Sequence, residues 1–438
     1  MSSVNTVPSK LDTEKINQLK SQSATSFFNN VKPLLTPVEE YKPVGYHLKM
    51  VQVITRHGRR TPETTRFPLA LWMCNSTDNL IVDRDETRPE CSLGQLTVFG
   101  TRDLINLGAN YRKLLIDGIG YLSKDYKPGE VYVRSSDRER TISSARSLMH
   151  GLYGGSFADA QEHMLQAATS FYIRPEAVEN IYPRRSCPKY LFLYQLLRKH
   201  PAVLEEQKQS GLAEFTTKLQ GIFDKSKGSD SPLYISSWRS YAGLVNSFDC
   251  FRNHGLPLPD GFTDQIINRM YLEASKEYKQ LALFPELSRL GIGRFIGDLS
   301  TQLTSKVNND TATSDLKFAH YSAHDTTLGA LLVAYDMYTD NKHPETASSL
   351  EFLLFEKDKQ QKQQQLQQQQ QHFVKVVYNQ QVLHIGKCKE FEVDGMCPWD
   401  KFMEISKKNT PVNFKEECAI SDEEKTRYNI AIQTSKTY

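Results

Sequence analysis

The order in which hydrophobic patterns follow one another constrains this chain most. The run Leu48-Lys-Met-Val-Gln-Val-Ile-Thr55 is short, rich in β-branched residues and mostly apolar, and it breaks at once into Arg56-His57-Gly58. Such a run reads as a buried strand that ends in a polar loop. The same design recurs at Glu130-Val-Tyr-Val-Arg134 and at Leu316-Lys-Phe-Ala-His-Tyr-Ser322, which runs into His324-Asp325. Leu104, Leu107, Tyr111, Leu114 and Leu115 recur at helical spacing between the first two runs. A helix through about residue 152 follows the second run, and Thr326 to Asp336 forms another after the third. Strand and helix in alternation predict an α/β fold, with a mostly parallel central sheet flanked by helices. In such sheets ligands gather at the carboxyl edge of the strands, so the polar residues just past each run are the candidates for chemistry.

The alternation is interrupted once. From about 156 to 285 the strand signal fades and helical patterns dominate, as in Lys189-Tyr-Leu-Phe-Leu-Tyr-Gln-Leu-Leu and Ile266-Ile-Asn-Arg-Met-Tyr-Leu. Later, Ser349 to Glu356 and Phe373 to Tyr378 read as two strands of a hairpin with a glutamine-rich tip. A long tip can loop out because closure entropy grows only logarithmically with length. The resulting division is a polar arm (1–44), an α/β core (45–155 and 286–405), a mainly helical cap (156–285), the Gln-rich insertion (358–372) and a C-terminal tail (406–438).

Three guanidinium groups surround one imidazole in Arg56-His57-Gly58-Arg59-Arg60-Thr61-Pro62. Guanidinium forks match phosphate oxygens in pairs. Neighbouring positive charge favours a neutral, nucleophilic imidazole, and Gly58 is expected to let an anion approach through its flexible backbone. The whole-chain charge adds little: 54 Lys and Arg against 51 Asp and Glu leave +3. That balance argues against a nucleic-acid binder. No apolar stretch is long enough for an integral membrane segment.

The Arg56 to Pro62 segment resembles the RHGxRxP motif of the histidine acid phosphatases, the acid phosphatase branch of the histidine phosphatase superfamily. Arg134-Ser-Ser-Asp-Arg-Glu-Arg-Thr141 resembles that family's RSTDxxRT element, Leu93-Gly-Gln-Leu-Thr97 with Gly100 its LTxxG helix start, and His324-Asp325 its late HD motif. The resemblance implies a histidine-phosphatase-like fold and hydrolysis of a small-molecule, glycan or lipid phosphomonoester. It implies His57 as the nucleophile that becomes phosphohistidine, Asp325 as proton donor, and Arg56, Arg60, Arg134 and His324 as the phosphate-binding set. It also implies no metal and no cofactor, with arginines supplying the charge. Of the remaining arginines, Arg140 is expected in a structural ion pair near Asp137, Arg138 in solvent and Arg59 exposed.

Two other readings stay open. Leu80-Ile-Val-Asp83-Arg-Asp85-Glu-Thr87 fits the strand-DxDxT pattern of Mg²⁺-dependent haloacid-dehalogenase-type phosphatases, although no acidic pair after a suitable later strand accompanies it. A phosphate-ester binder without turnover would use the same arginines. Seven cysteines are too dilute for a disulfide scaffold, show no zinc-site pair, and in a monomer leave at least one free thiol. Cys388 and Cys397 fit the family's cysteine-containing C-terminal region. The first 28 residues lack the apolar run of a secretory signal, so a soluble intracellular protein is expected. The family implies a lumenal, lysosomal or secreted alternative, in which the sequons at Asn75 and Asn309 would matter. Oligomeric state is not legible.

Overall fold

The computed structural model describes residues 37–63, 69–74, 91–154, 171–183, 186–226, 233, 235, 237–339, 341–358 and 371–434. In chain order its main elements are β1 (Tyr46–Arg56), α1 (Val98–Tyr111), β2 (Val131–Ser135), α2 (Glu139–Tyr153) and β3 (Phe171–Ile173). Five helices follow: α3 (Pro188–Leu197), α4 (Pro201–Gln209), α5 (Leu212–Ser226), α6 (Tyr241–Arg252) and α7 (Asp264–Lys279). Then come α8 (Pro285–Gly291), α9 (Gly293–Val307), β4 (Phe318–Ala323) and α10 (Asp325–Ala334). The chain ends with β5 (Ser349–Lys357), β6 (His372–Tyr378), β7 (Gln381–Leu383), β8 (Cys397–Pro398), α11 (Trp399–Asn409), α12 (Phe414–Glu417) and α13 (Asp422–Thr434).

The strands form one sheet in the order β3-β2-β4-β1-β5-β6-β7, with β8 beside β6. Pairing is parallel from β3 through β2 and β4 to β1, and antiparallel from β1 through β5 and β6 to β7. The expected helix-flanked α/β sheet is present, and it is mixed rather than mostly parallel: β5 follows helix α10 yet runs antiparallel to β1, and β6 and β7 add to it by hairpins. In β1 successive side chains serve opposite faces. Met50 and Ile54 pack with Phe295 and Leu299 of α9 and Leu328 of α10. Val51 and Val53 pack with Leu104 and Leu107 of α1 and Leu148 and Leu152 of α2. Helices on both faces explain why β1 is buried without a break from Met50 to Arg56.

Helices α5, α6 and α7 enclose a separate apolar cluster with Trp72, Phe223, Phe248, Phe251 and Met270 at its centre. Three placements differ from expectation. β3 lies within the segment read as helical and joins the sheet edge beside β2. Tyr41, assigned to the polar arm, is buried with its hydroxyl on the Glu351 carboxylate. Residues beyond 406 are helical, and the Cys187–Cys418 disulfide ties them to the start of α3. Two further disulfides join Cys74 to Cys91 and Cys388 to Cys397, leaving Cys250 as a buried free thiol. The β5–β6 ladder closes at Glu356 and His372 around the glutamine tract, of which residues 359–370 lie outside the described residues.

Candidate active site

Three parallel strands end together, and this brings distant motifs to one edge. Arg56 at the end of β1 is in register with Ala323 at the end of β4, and Ser135 at the end of β2 with Ser322. His57, Ser136 and His324 therefore leave the sheet side by side. The His57 N–H donates to the Ala323 carbonyl at 3.0 Å. Gly58 does not sit in the left-handed region, and its role is close approach rather than backbone freedom. A Cβ there would lie 2.4 Å from the Gly100 carbonyl oxygen in the first turn of α1. Thr97 caps that helix and also donates to the Arg59 carbonyl at 3.1 Å, so the loop after β1 is seated on the α1 N-terminus.

Around His57 the guanidinium groups are only partly satisfied. Arg56 donates to Asn246 Oδ1 at 2.7 Å and to the Pro344 carbonyl at 2.5 Å. Arg60 donates to the Thr61 carbonyl at 2.9 Å and contacts Cys250 Sγ at 3.6 Å. Arg140 reaches Glu63 Oε1 at 2.7 Å, and Arg60 approaches the other Glu63 oxygen at 3.4 Å. The buried Nε atoms of Arg56, Arg60 and Arg140 have no partner among the described residues, which costs free energy unless an anion supplies acceptors. Glu63 is 51% exposed and its carboxyl is lowered: burial pushes it up, but Arg60 and Arg140 outweigh that.

His57 is only 2% exposed. Burial first, then the charges of Arg140, Arg56 and Arg60 and the ring of His324, hold its imidazole well below the usual histidine range. Its Nδ1 lies 2.9 Å from the Gly58 carbonyl. A carbonyl only accepts, so Nδ1 carries the proton and Nε2 presents a lone pair. The His324 ring stands 5.6 Å away, and its Nε2 is 2.8 Å from Ser136 Oγ. Burial and then Arg140 lower His324 to about 3. Asp325 opens α10 beside it. Burial works against its charge, but Arg56 and His343 keep the carboxyl well below its usual value.

Of the six residues expected to converge, Arg134 does not. Its guanidinium donates to Glu179 Oε1 at 2.6 Å and to Asp298 Oδ2 at 2.7 Å, and it lies over the Phe295 ring. Arg134 is inside β2, so alternation sends its side chain to the α9 face of the sheet instead of past the strand end. Arg140 occupies the place expected of it. It stands in the first turn of α2, pairs with Glu63 rather than near Asp137, and is 14% exposed. The available signal was positional: residues at or past the last position of a strand, such as Arg56 and His57, reach the carboxyl edge, whereas Arg134 precedes the end of β2. Arg59 also departs from expectation, being 16% exposed with a two-pronged pair to Asp103 and a bond to the Asn253 carbonyl. Arg138 is in solvent as read, facing Glu176 at 3.1 Å.

Four residues that sequence reasoning missed complete the site. Besides Glu63, these are Asn246 on α6, Tyr278 on α7 and His343 on the α10–β5 connection, all converging on Asp325. They come from separate elements, so no local motif announces them. Among the described residues no group of three or more His, Cys, Asp or Glu is placed to hold a metal. Asp83 and Asp85, which carried the competing reading, and the sequon residue Asn75 lie outside the described residues.

The profile of the histidine phosphatase superfamily (branch 2) matches residues 47–379. A Dictyostelium discoideum protein described as a probable acid phosphatase is 55% identical over 398 residues, covering 90% of this chain and 84% of that one. Xenopus laevis lysosomal acid phosphatase is 28% identical over 319 residues, covering 71% of this chain and 67% of that one. Among solved structures, Hafnia alvei phytase in complex with myo-inositol hexakis sulphate superposes with a TM-score of 0.60 at 15% identity, over 86% of this chain and 100% of that one. At that identity the likeness speaks for the fold alone.

Proposed function

The chain belongs to branch 2 of the histidine phosphatase superfamily and is a phosphomonoester hydrolase, and from the geometry of its site we propose how it works. Arg56, Arg60 and Arg140 hold the phosphate oxygens, with His324 beside them. The Nε2 lone pair of His57 attacks phosphorus, a P–N bond forms and the bond to the leaving oxygen breaks. Asp325 gives that oxygen its proton. As a carboxylate it then accepts a proton from water, which attacks phosphorus and releases His57 and inorganic phosphate. The arginines stabilise the charge that develops on the phosphoryl oxygens.

The observation that carries this reading is a buried imidazole, kept neutral with Nδ1 on a carbonyl, amid three guanidinium groups whose Nε atoms have no acceptor among the described residues. Asp325 fits the donor role once substrate is present. Arg56 is the largest influence holding its carboxyl down, and a bound phosphate offsets that charge. Hydrolysis is therefore favoured on the acid side. The half-exposed Glu63 carboxylate, which bridges Arg60 and Arg140, yields these arginines to the incoming phosphate.

The substrate is a small-molecule, glycan or lipid phosphomonoester. No helix among the described residues is long and apolar enough to cross a membrane. Three disulfides support an oxidising compartment, lumenal or secreted, over the intracellular setting expected from the N-terminal residues. The test is hydrolysis of p-nitrophenyl phosphate from acidic to mildly alkaline pH, with and without EDTA. Acidic turnover that survives EDTA and is lost in His57→Ala supports the mechanism. EDTA-sensitive turnover, lost in Asp83→Asn and kept in His57→Ala, would overturn it in favour of the metal-dependent alternative. Phosphate binding without turnover at any pH would point to a binder.

A further inference from the structure

The loop after β1 turns back on the pocket it helps to build. Arg60 pairs with Leu96 in an isolated antiparallel bridge. The Thr61 N–H donates to the Gln95 carbonyl at 2.9 Å, and the Gly94 N–H donates to the Pro62 carbonyl at 2.9 Å. These bonds set the direction in which the chain delivers Glu63. Gly94 holds φ 67°, and a Cβ there would lie 3.1 Å from Glu63 Cγ and 3.3 Å from Arg140 Nη1. Glycine at this turn therefore leaves room for the Glu63 side chain to lie against the arginine of α2.

Exposure rises outward from the buried His57 and Arg60 to Arg140 and then to the half-exposed Glu63, which stands at the mouth of the pocket. Its Oε1 is 2.7 Å from Arg140 Nη2 and its Oε2 3.4 Å from Arg60 Nη2. Both carboxylate oxygens thus occupy nitrogens that a phosphate would take. The charged groups facing Glu63 are Arg60 on its own loop, Arg138 and Arg140 from α2, and Asp325 from α10. In the resting pocket Arg56, Arg60 and Arg140 meet two carboxylates, Glu63 and Asp325, while His57 and His324 are neutral. One unit of positive charge is left among these groups.

An ionised carboxylate only accepts hydrogen bonds. An oxyanion without a proton meets Glu63 as a like charge that competes for the same arginines. A phosphate that keeps an O–H can instead give that hydrogen to Glu63 and turn its other oxygens to the guanidinium groups, and an O–H to carboxylate bond is one of the strong kind.

We propose that Glu63 is a specificity-determining residue: it makes the arginine pocket select phosphates that still carry an O–H over oxyanions that carry none. The proposal rests on the phosphohistidine reading above and names the protonation state of the substrate that the pocket takes. A phosphomonoester loses its last O–H near about pH 6, so Glu63 favours the monoanionic ester on the acid side. Sulfate has the shape of phosphate but no proton to give, and it is the anion that Glu63 rejects.

The experiment titrates the full chain with inorganic phosphate and with sulfate by calorimetry, at one mildly acidic pH, in wild type, Glu63→Gln and Glu63→Ala. Wild type should bind phosphate more tightly than sulfate. In both variants the ratio of the two affinities should fall by about tenfold or more, the scale of one hydrogen bond to a charged group. Glu63→Ala separates loss of the charge from gain of an amide donor, and melting temperatures confirm that both variants fold. In Glu63→Gln, kcat/KM for p-nitrophenyl phosphate should also persist to higher pH than in wild type. A ratio that neither variant changes, or one that falls in Asp325→Asn but not in Glu63→Gln, would overturn the proposal. So would a wild-type protein that binds neither anion or binds both equally. Selective phosphate binding without hydrolysis of p-nitrophenyl phosphate would instead overturn the functional reading and leave the selection by Glu63 standing.

Discussion

Replacing Arg140 and Arg134 separately by Gln tests the assignment of the phosphate pocket, because the structure gives the two arginines opposite kinds of work. Arg140 has one described carboxylate partner, Glu63, which is half exposed. Removing it leaves little unsatisfied in the resting protein. It does remove one of three forks available to the phosphoryl oxygens, and loss of a single transition-state donor typically costs about 10²–10³-fold in rate. Arg140→Gln should therefore lower kcat/KM for p-nitrophenyl phosphate by about that factor, weaken inhibition by phosphate, and leave the melting temperature nearly unchanged. Arg134 is 1% exposed and bonds to Glu179, which is wholly buried, and to Asp298. Taking away one partner of a buried ion pair costs about 3–5 kcal/mol, since the other charge stays buried without compensation. Arg134→Gln should lower the melting temperature clearly, while the protein that remains folded keeps its affinity for phosphate. If Arg134→Gln instead weakens phosphate binding at unchanged melting temperature, and Arg140→Gln leaves kcat/KM intact, the placement of Arg140 in the pocket is refuted.

Gly58→Ala should cost about 1–3 kcal/mol in stability and much of the activity, because its Cβ would sit 2.4 Å from the Gly100 carbonyl oxygen; chemical denaturation and turnover measured together check this, and a fully active, equally stable variant refutes the close packing. Thiol counting in the native, non-reduced protein should find no reactive cysteine, and one after unfolding, Cys250; reduction should lower the melting temperature, and more than one thiol in the unfolded, non-reduced protein would contradict the three bridges. Burial lowers His254, His320 and His324 to about 3 each, while an unfolded histidine titrates near 6.5. The unfolded chain then binds more protons between those values, so these residues' contribution to stability is present above about 6.5 and lost as pH falls toward 3. Melting temperatures followed from pH 7 down to pH 4 should decline, and a flat profile would refute the neutral state of these rings.

Much of the site was legible because catalysis of this kind draws on short runs at strand ends. Arg56, His57 and Arg60 sit within five residues of one another, and His324 and Asp325 are adjacent. An abrupt change from β-branched apolar residues to charged ones marks where a buried strand meets solvent, and that boundary is a local property of the chain. Arg134 was misread for a related reason. Its motif neighbours are local, but which way a side chain points depends on whether it stands inside or beyond the strand, and the end of β2 at Ser135 is one residue away. The cysteines show the opposite limit: Cys187 and Cys418 are 231 residues apart, and no spacing rule connects them.

The sequence alone determined the α/β alternation and the interruption by helices, and it set the residues proposed here as nucleophile and proton donor, His57 and Asp325, just past strands. It could do so because hydrophobic period and strand-end chemistry are written within a dozen neighbouring residues. Tertiary structure decided the rest. The parallel register of β1, β2 and β4 sets His57 beside His324, and the first turn of α2 puts Arg140 in the pocket in place of Arg134. Asn246, Tyr278 and His343 meet at Asp325 only because α6, α7 and the α10–β5 connection pack there. Contacts between side chains on separate elements depend on how those elements are stacked, and that arrangement leaves no trace in the spacing of residues along the chain.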